Sequence, residues 1–108
     1  MKKIFVLRHS KSSWKDLSLG DFHRSLNTRG KTDAPMMSSY LSTRIDMIAF
    51  LHCSSSVRTY ETSKYFIERI NFINIKYDES LYHSSSSEII NNIKCYDEQY
   101  NSAMIIAH

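Results

Sequence analysis

The sequence predicts an α/β fold, a three-layer sandwich with a mostly parallel central sheet and helices on both faces. Two observations carry that prediction. Short apolar segments alternate with longer segments of helical periodicity, and the residues with chemistry to offer stand just beyond the apolar segments. Parallel strands need a crossover between them, usually a helix, which is why the alternation points to a parallel sheet.

Taken in order, Ile4–Leu7 is a short, wholly apolar run and reads as a buried strand. Thr28–Thr43 places Ala34, Met37 and Leu41 at helical spacing, with Asn27 as its cap and Pro35 far enough inside to bend it. Asp46–Cys53 contains Met47-Ile48-Ala49-Phe50-Leu51 and reads as a second buried strand. Ser56–Ile70 carries Val57, Tyr60, Lys64, Ile67 and Ile70 on one face, the lysine stem lying along the apolar stripe. Asn74–Tyr77 is a third strand. The serine run Ser84–Ser87 reads as a loop, with Ser85 and Glu88 forming a capping box ahead of Ile89, Ile90, Ile93 and Tyr96 in a helix that ends near Asp97. Ala103–Ala107 is a fourth strand.

The chain has 108 residues, enough for one domain over 1–108 with a modest core. No apolar run approaches the roughly 18 residues that a membrane-spanning helix needs. Met1-Lys2-Lys3 precedes too short an apolar run for a signal peptide, so the expected location is cytoplasmic, with no membrane partner. Fourteen Lys and Arg against eleven Asp and Glu leave a net charge of +3, which suits an anionic ligand. The charges are scattered, and no basic tract is present to follow a nucleic-acid backbone, so no nucleic-acid partner is expected. Cys53 and Cys95 have neither metal nor redox spacing and read as buried, reduced thiols.

Open parallel sheets bind ligands outside the carboxyl ends of their strands. Arg8-His9 follows the first strand, Ser54 to Arg58 the second and His108 the last, so two guanidinium groups and two imidazoles converge on one edge. Arginine presents a planar fork of donors that grips two phosphate oxygens, and a serine-rich helix start adds backbone N–H groups and a positive dipole end. An imidazole attacks phosphorus only when one ring nitrogen is free. From a reference pKa of about 6.5, neighbouring cations favour neutral His9 while bound phosphate pulls the other way. These residues point to phosphoryl chemistry with His9 as nucleophile and Arg8 and Arg58 as the phosphoryl grip.

An ordered set of motifs then identifies a family. Leu7-Arg8-His9-Ser10-Lys11-Ser12-Ser13-Trp14-Lys15-Asp16, Asp21-Phe22-His23-Arg24-Ser25-Leu26-Asn27-Thr28-Arg29-Gly30, Ser54-Ser55-Ser56-Val57-Arg58 with Thr62, Ser80-Leu81-Tyr82 and Ala107-His108 resemble the histidine phosphatase superfamily, which is phosphoglycerate mutase-like. The run from Lys11 to Trp14 is similar to the small bacterial phosphohistidine phosphatases. The resemblance implies a phosphorylated His9, a pocket completed by Arg8, Arg58 and His108, with Ser54, Ser10 and Lys11 against the substrate, and no metal or organic cofactor. It also implies further helix and strand after the second histidine, so the domain is read as C-terminally incomplete.

Several positions depart from the family pattern. Ser10, Ser25, Ser55 and Ala107 stand where glycine, proline, proline and glycine are common. The glutamate with which many members protonate the leaving group is missing, since the chain reads Leu81-Tyr82-His83 there; His83 or Glu79 is the available substitute. A phosphorylated imidazole is a good leaving group that needs less protonation than an alkoxide, so the expected substrate is a phosphorylated protein carrying phosphohistidine. The alternatives are a small phosphorylated molecule hydrolysed as an ester, or an inactive phosphate- or partner-binding remnant.

Overall fold

In the computed structural model, residues 3–8 and 26–107 are described. Strand β1 (Lys3–Arg8) is followed by helix α1 (Thr28–Ser42), strand β2 (Met47–Ser54), helix α2 (Val57–Ile67), strand β3 (Asn71–Asp78), one 3₁₀ turn (Glu79–Leu81), helix α3 (Ser86–Lys94) and strand β4 (Ser102–Ala107). The strands form one sheet in the order β1-β4-β2-β3, and every pairing is parallel.

That order decides where the helices lie. The connections β1→β2 and β2→β3 move in one direction across the sheet, whereas β3→β4 returns in the other. Right-handed crossovers therefore put α1 and α2 on one face and α3 on the opposite one. The expected α/β sandwich with helices on both faces is the fold observed.

On the α2 face, Leu51, Cys53, Met104 and Ile106 join Phe66 and Ile70 in a cluster with no member more than 2% exposed, and Phe5 and Leu7 pack against it. Each fully buried large side chain of this kind contributes about 1.5–3 kcal/mol. The opposite face is built differently. Phe50 stacks on Tyr100 (5.1 Å between ring centroids) and meets Tyr96 edge-on (5.1 Å), so two tyrosines that follow α3 cover this part of the sheet. No residue of α3 itself is buried.

Several local expectations are corrected. β1 is not a buried strand: it ends the sheet order and Val6 is 65% exposed. α1 runs without a break through Pro35, and its buried stripe is Gly30, Ala34 and Ser38 rather than Ala34, Met37 and Leu41. These small residues, four apart, allow the close approach of α1 to α2. The buried face of α2 is Arg58, Thr59, Thr62, Ser63 and Phe66. Tyr60 and Lys64 face solvent instead, the ammonium 4.7 Å above the ring. Only Ser84 of the serine run stays outside the next helix, since Ser85 caps it and Ser86 and Ser87 form its first turn; that helix stops at Lys94, short of Asp97. Cys53 is buried as expected, but Cys95 is exposed.

Candidate active site

The site is built at the carboxyl edge of the sheet. The strand order reverses where β4 inserts between β1 and β2, and in open α/β sheets such a reversal opens a crevice above the strand ends. Register makes this concrete. Arg8 pairs with Ala107, and Cys53 pairs with Ile106, so Ser54 is level with Ala107 on its other side. With strands about 4.8 Å apart, Arg8 and Ser54 flank Ala107 in one short row. His9 and His108 are the next residues in sequence beyond that row; together with Ser10 and Lys11 they lie outside the described residues.

Immediately past β2 the chain turns into α2, and the turn is packed with hydroxyls. Ser54, Ser56, Thr59 and Ser63 are fully buried, and Thr62 is 1% exposed. Thr59 Oγ1 donates to the Ser54 carbonyl (2.6 Å) and lies 2.6 Å from Ser56 Oγ. Thr62 Oγ1 donates to the carbonyl of Arg58 (2.8 Å). Ser56 occupies the N-cap position, yet its hydroxyl faces Thr59 and does not cap the helix. The start of α2 is thus held from inside by threonine, with the positive end of the helix at the carboxyl edge of the sheet.

Arg58 stands in the first turn of α2, only 3% exposed. A buried guanidinium is costly to desolvate and is kept where an anion or other acceptor meets its donors. Arg8, at the end of β1, is exposed. Cys53 lies beneath this layer, donating weakly to the carbonyls of Ser54 (3.3 Å) and Thr59 (3.4 Å). Burial pushes its thiol up to about 12, so it stays protonated and serves packing, not nucleophilic attack.

The motif Leu26 to Gly30 proves architectural. Leu26 is 1% exposed and its N–H donates to Glu61 of α2 (3.3 Å), while Asn27 Oδ1 caps α1 by accepting from the Gly30 N–H (2.8 Å). Glu79 and His83 follow β3 on the same edge of the sheet, anchored by fully buried Leu81 between them. His83 is exposed and has a backbone φ of 56°, a left-handed conformation uncommon outside glycine and asparagine.

Sequence reasoning missed a second polar cluster. His52, 3% exposed, bonds through Nε2 to Asp78 Oδ2 (2.8 Å) and through Nδ1 to the Tyr96 hydroxyl (2.6 Å), with Lys76 Nζ 3.7 Å from the same carboxylate oxygen. The Ser80 bond and then His52 hold the Asp78 carboxyl below the usual carboxylate range, while burial pushes Tyr96 up. No sequence signal announces this cluster, because it depends on the β2–β3 register. Thr59 was legible in principle: it stands three residues after the N-cap Ser56. Among the described residues, no group of three or more His, Cys, Asp or Glu has a metal-binding arrangement, and no helix is long and apolar enough to cross a membrane.

No family model matches the chain. Two curated relatives are similar in sequence, an uncharacterized chloroplastic protein of Arabidopsis thaliana (38% identical over 63 residues, 58% of this chain) and an uncharacterized protein of Mycobacterium leprae (28% over 106 residues, 94% of this chain). The matches span 29% and 63% of those relatives' own length. Among solved structures, a candidate phosphohistidine phosphatase SixA from Agrobacterium tumefaciens superposes with a TM-score of 0.88 at 26% identity, over 97% of this chain and 68% of that one. The protein histidine phosphatase SixA complexed with tungstate gives a TM-score of 0.79 at 18% identity, over 97% and 68%. The second likeness is one of fold alone. Together these similarities show that the chain has the phosphoglycerate mutase-like fold of the SixA phosphohistidine phosphatases.

Proposed function

We propose that this chain carries the core of a phosphatase that works through a phosphohistidine intermediate on His9, and that its substrate is a phosphorylated protein bearing phosphohistidine. One observation carries the reading: Arg58 is buried in the first turn of α2, on the edge where the register also sets Ser54, Ala107 and Arg8 in a row. In this reading Arg8 and Arg58 grip the phosphoryl oxygens, His108 completes the pocket, and Ser54, Ser10 and Lys11 line it. The tungstate complex of a protein with the same fold supports it, since tungstate is a tetrahedral oxyanion like phosphate.

The neutral imidazole of His9 attacks phosphorus, the phosphorus–nitrogen bond of the substrate breaks, and the substrate imidazole leaves with its electron pair and a proton from solvent. Water then attacks phosphorylated His9, releasing inorganic phosphate and restoring the imidazole. Two moderate displacements replace one difficult one. In this reading, charge on the equatorial oxygens is met by the donors of Arg8, Arg58 and His108. No carboxylic acid is needed for the first step, because imidazole departs far more readily than an alkoxide. The protein is expected to act in the cytoplasm, without metal or organic cofactor.

Incubation with ³²P-labelled phosphoramidate tests the assignment. An acid-labile, base-stable label should appear on the chain and disappear in His9→Ala. A label that persists in that variant rules out His9 as the nucleophile. Comparable turnover of sugar phosphates and a phosphohistidine protein, with only the ester reaction lowered in His83→Ala, would replace the protein substrate by a small phosphomonoester.

A further inference from the structure

We propose that His52 is a positioning residue: it clasps both ends of the segment 79–95 and so sets the Tyr82–His83 ring pair to receive the imidazole of a phosphohistidine substrate. The inference rests on the phosphatase reading above. The clasp is a set of hydrogen bonds through one buried imidazole. Asp78, the last residue of β3, pairs with Ser54 and extends the row Arg8, Ala107, Ser54 by one strand, about 4.8 Å. Its carboxylate oxygens are divided: Oδ1 accepts from the Ser80 N–H (2.9 Å) at the start of the 3₁₀ turn, and Oδ2 lies 2.8 Å from His52 Nε2. A carboxylate only accepts, so Nε2 carries the hydrogen of that bond. In the neutral ring Nδ1 is then the acceptor for the Tyr96 hydroxyl (2.6 Å), and Tyr96 is the second residue after α3. One side chain, 3% exposed, thus holds the chain where it leaves β3 and where it returns from α3. Lys76 Nζ, exposed and 3.7 Å from the same Asp78 oxygen, is beyond hydrogen-bond distance and does not substitute for the imidazole.

What lies between the two holds needs them. No residue of α3 is buried, and of residues 79–95 only Leu81 is. A segment with so little apolar burial opens locally at low cost unless its ends are fixed. The same segment carries the rings that follow the row on this side of the sheet. Tyr82 and His83 have ring centroids 4.0 Å apart, and His83 holds φ at 56°, a left-handed backbone that a residue with a side chain keeps only where its surroundings impose it. Strain of this kind gathers at binding sites and ligand clamps. A pair of flat rings offers a face on which a planar imidazole stacks. A leaving group without a ring gains nothing from it, and that difference separates the clasp from a general support of the fold.

Two phosphoryl donors with unlike leaving groups test it on the parent chain, His52→Gln and Tyr96→Phe. Phosphoramidate releases ammonia and reads His9 and the arginines; a phosphohistidine protein releases an imidazole and reads the ring pair as well. His52→Gln should keep phosphoramidate labelling within about twofold of the parent and lower kcat/KM for the phosphohistidine protein by about ten- to a hundredfold, the loss carried by KM. Amide hydrogen exchange should quicken across 79–95 and stay unchanged in β1 and β4. Adding His52→Gln to Tyr82→Ala should cost little beyond Tyr82→Ala alone, because both act through one contact. Tyr96→Phe, which removes a single oxygen atom, should move kinetics and exchange in the same direction and by less, and it decides the matter should His52→Gln fail to fold. A proportional fall with both donors overturns the proposal, since a merely structural histidine lowers every activity with the folded fraction. So does unchanged exchange in 79–95. A parent chain that takes no label on His9 fails the phosphatase reading and this inference with it, whereas a labelled, active parent whose variants keep their kcat/KM overturns the clasp alone.

Discussion

Helices α2 and α3 both begin in serine-rich sequence, Ser54-Ser55-Ser56 and Ser84 to Ser87, yet the two starts are opposites. At α3, Ser85 Oγ accepts from the Glu88 N–H and Glu88 Oε1 accepts from the Ser85 N–H, both at 3.2 Å, on an exposed surface. That helix start satisfies itself. At α2 the serines are buried, Ser56 is turned toward Thr59, and the buried cation Arg58 stands in the first turn. The α3 start is held by its own surface side chains, whereas the α2 start is held from beneath by Thr59, and it is there that the proposed function puts the phosphoryl group.

The contrast can be broken most strongly at Arg58. Arg58→Ala should lower kcat/KM for a phosphohistidine protein by about 10²- to 10³-fold, the scale of losing one preorganised oxyanion donor; steady-state kinetics on folded variant checks it. An unaltered rate would make the α2 start as structural as that of α3. Next in size, Thr59→Val keeps shape but strips the Ser54 carbonyl and Ser56 hydroxyl of their shared partner. Urea denaturation should show a loss of about 2 kcal/mol.

The pair His52–Asp78 lies one layer away, and its contribution depends on pH. Hydrogen bonds from Ser80 and His52 depress the folded-state carboxyl of Asp78. Its stabilisation is therefore complete above the unfolded carboxylate pKa of about 3.9 and fades as pH falls through the lower folded value. Asp78→Asn should be less stable than the parent at pH 7, with the gap closing in strong acid; equal stability at pH 7 would dismiss the pair as a stabiliser. The smallest effect belongs to α3. Ser85→Ala should cost about 1 kcal/mol in thermal or urea melts and leave phosphatase activity unchanged.

Legibility in the sequence divides along similar lines. Among the described residues, the four strands, three helices and their order were readable because each depends on local apolar content and spacing, and the Ser85–Glu88 capping box is a wholly local device. Faces were less readable. The apolar pattern of α2 points to Tyr60, Lys64 and Ile67, but the helix buries Arg58, Thr59, Thr62 and Ser63, because its first turns are held by hydroxyl hydrogen bonds and not by a hydrocarbon layer. α1 buries Gly30, Ala34 and Ser38 for a comparable reason: close helix–helix approach selects small side chains that carry little periodic signal. Arg58, Ser54 and Arg8 were singled out as site candidates from their place after an apolar strand; the structure buries Arg58 and Ser54 and leaves Arg8 exposed.

The sequence by itself determined the alternation of strand and helix, the parallel character of the sheet and the identity of residues that follow each strand. These are properties of short segments, set by period, caps and turn chemistry. Only the tertiary structure decided that β4 inserts between β1 and β2, that Ser54 thereby stands level with Ala107 and Arg8, that His52 finds Asp78, and that β3 is left as an apolar edge. Those outcomes rest on pairings between segments tens of residues apart, where register and crossover direction choose the neighbours and no local pattern records the choice.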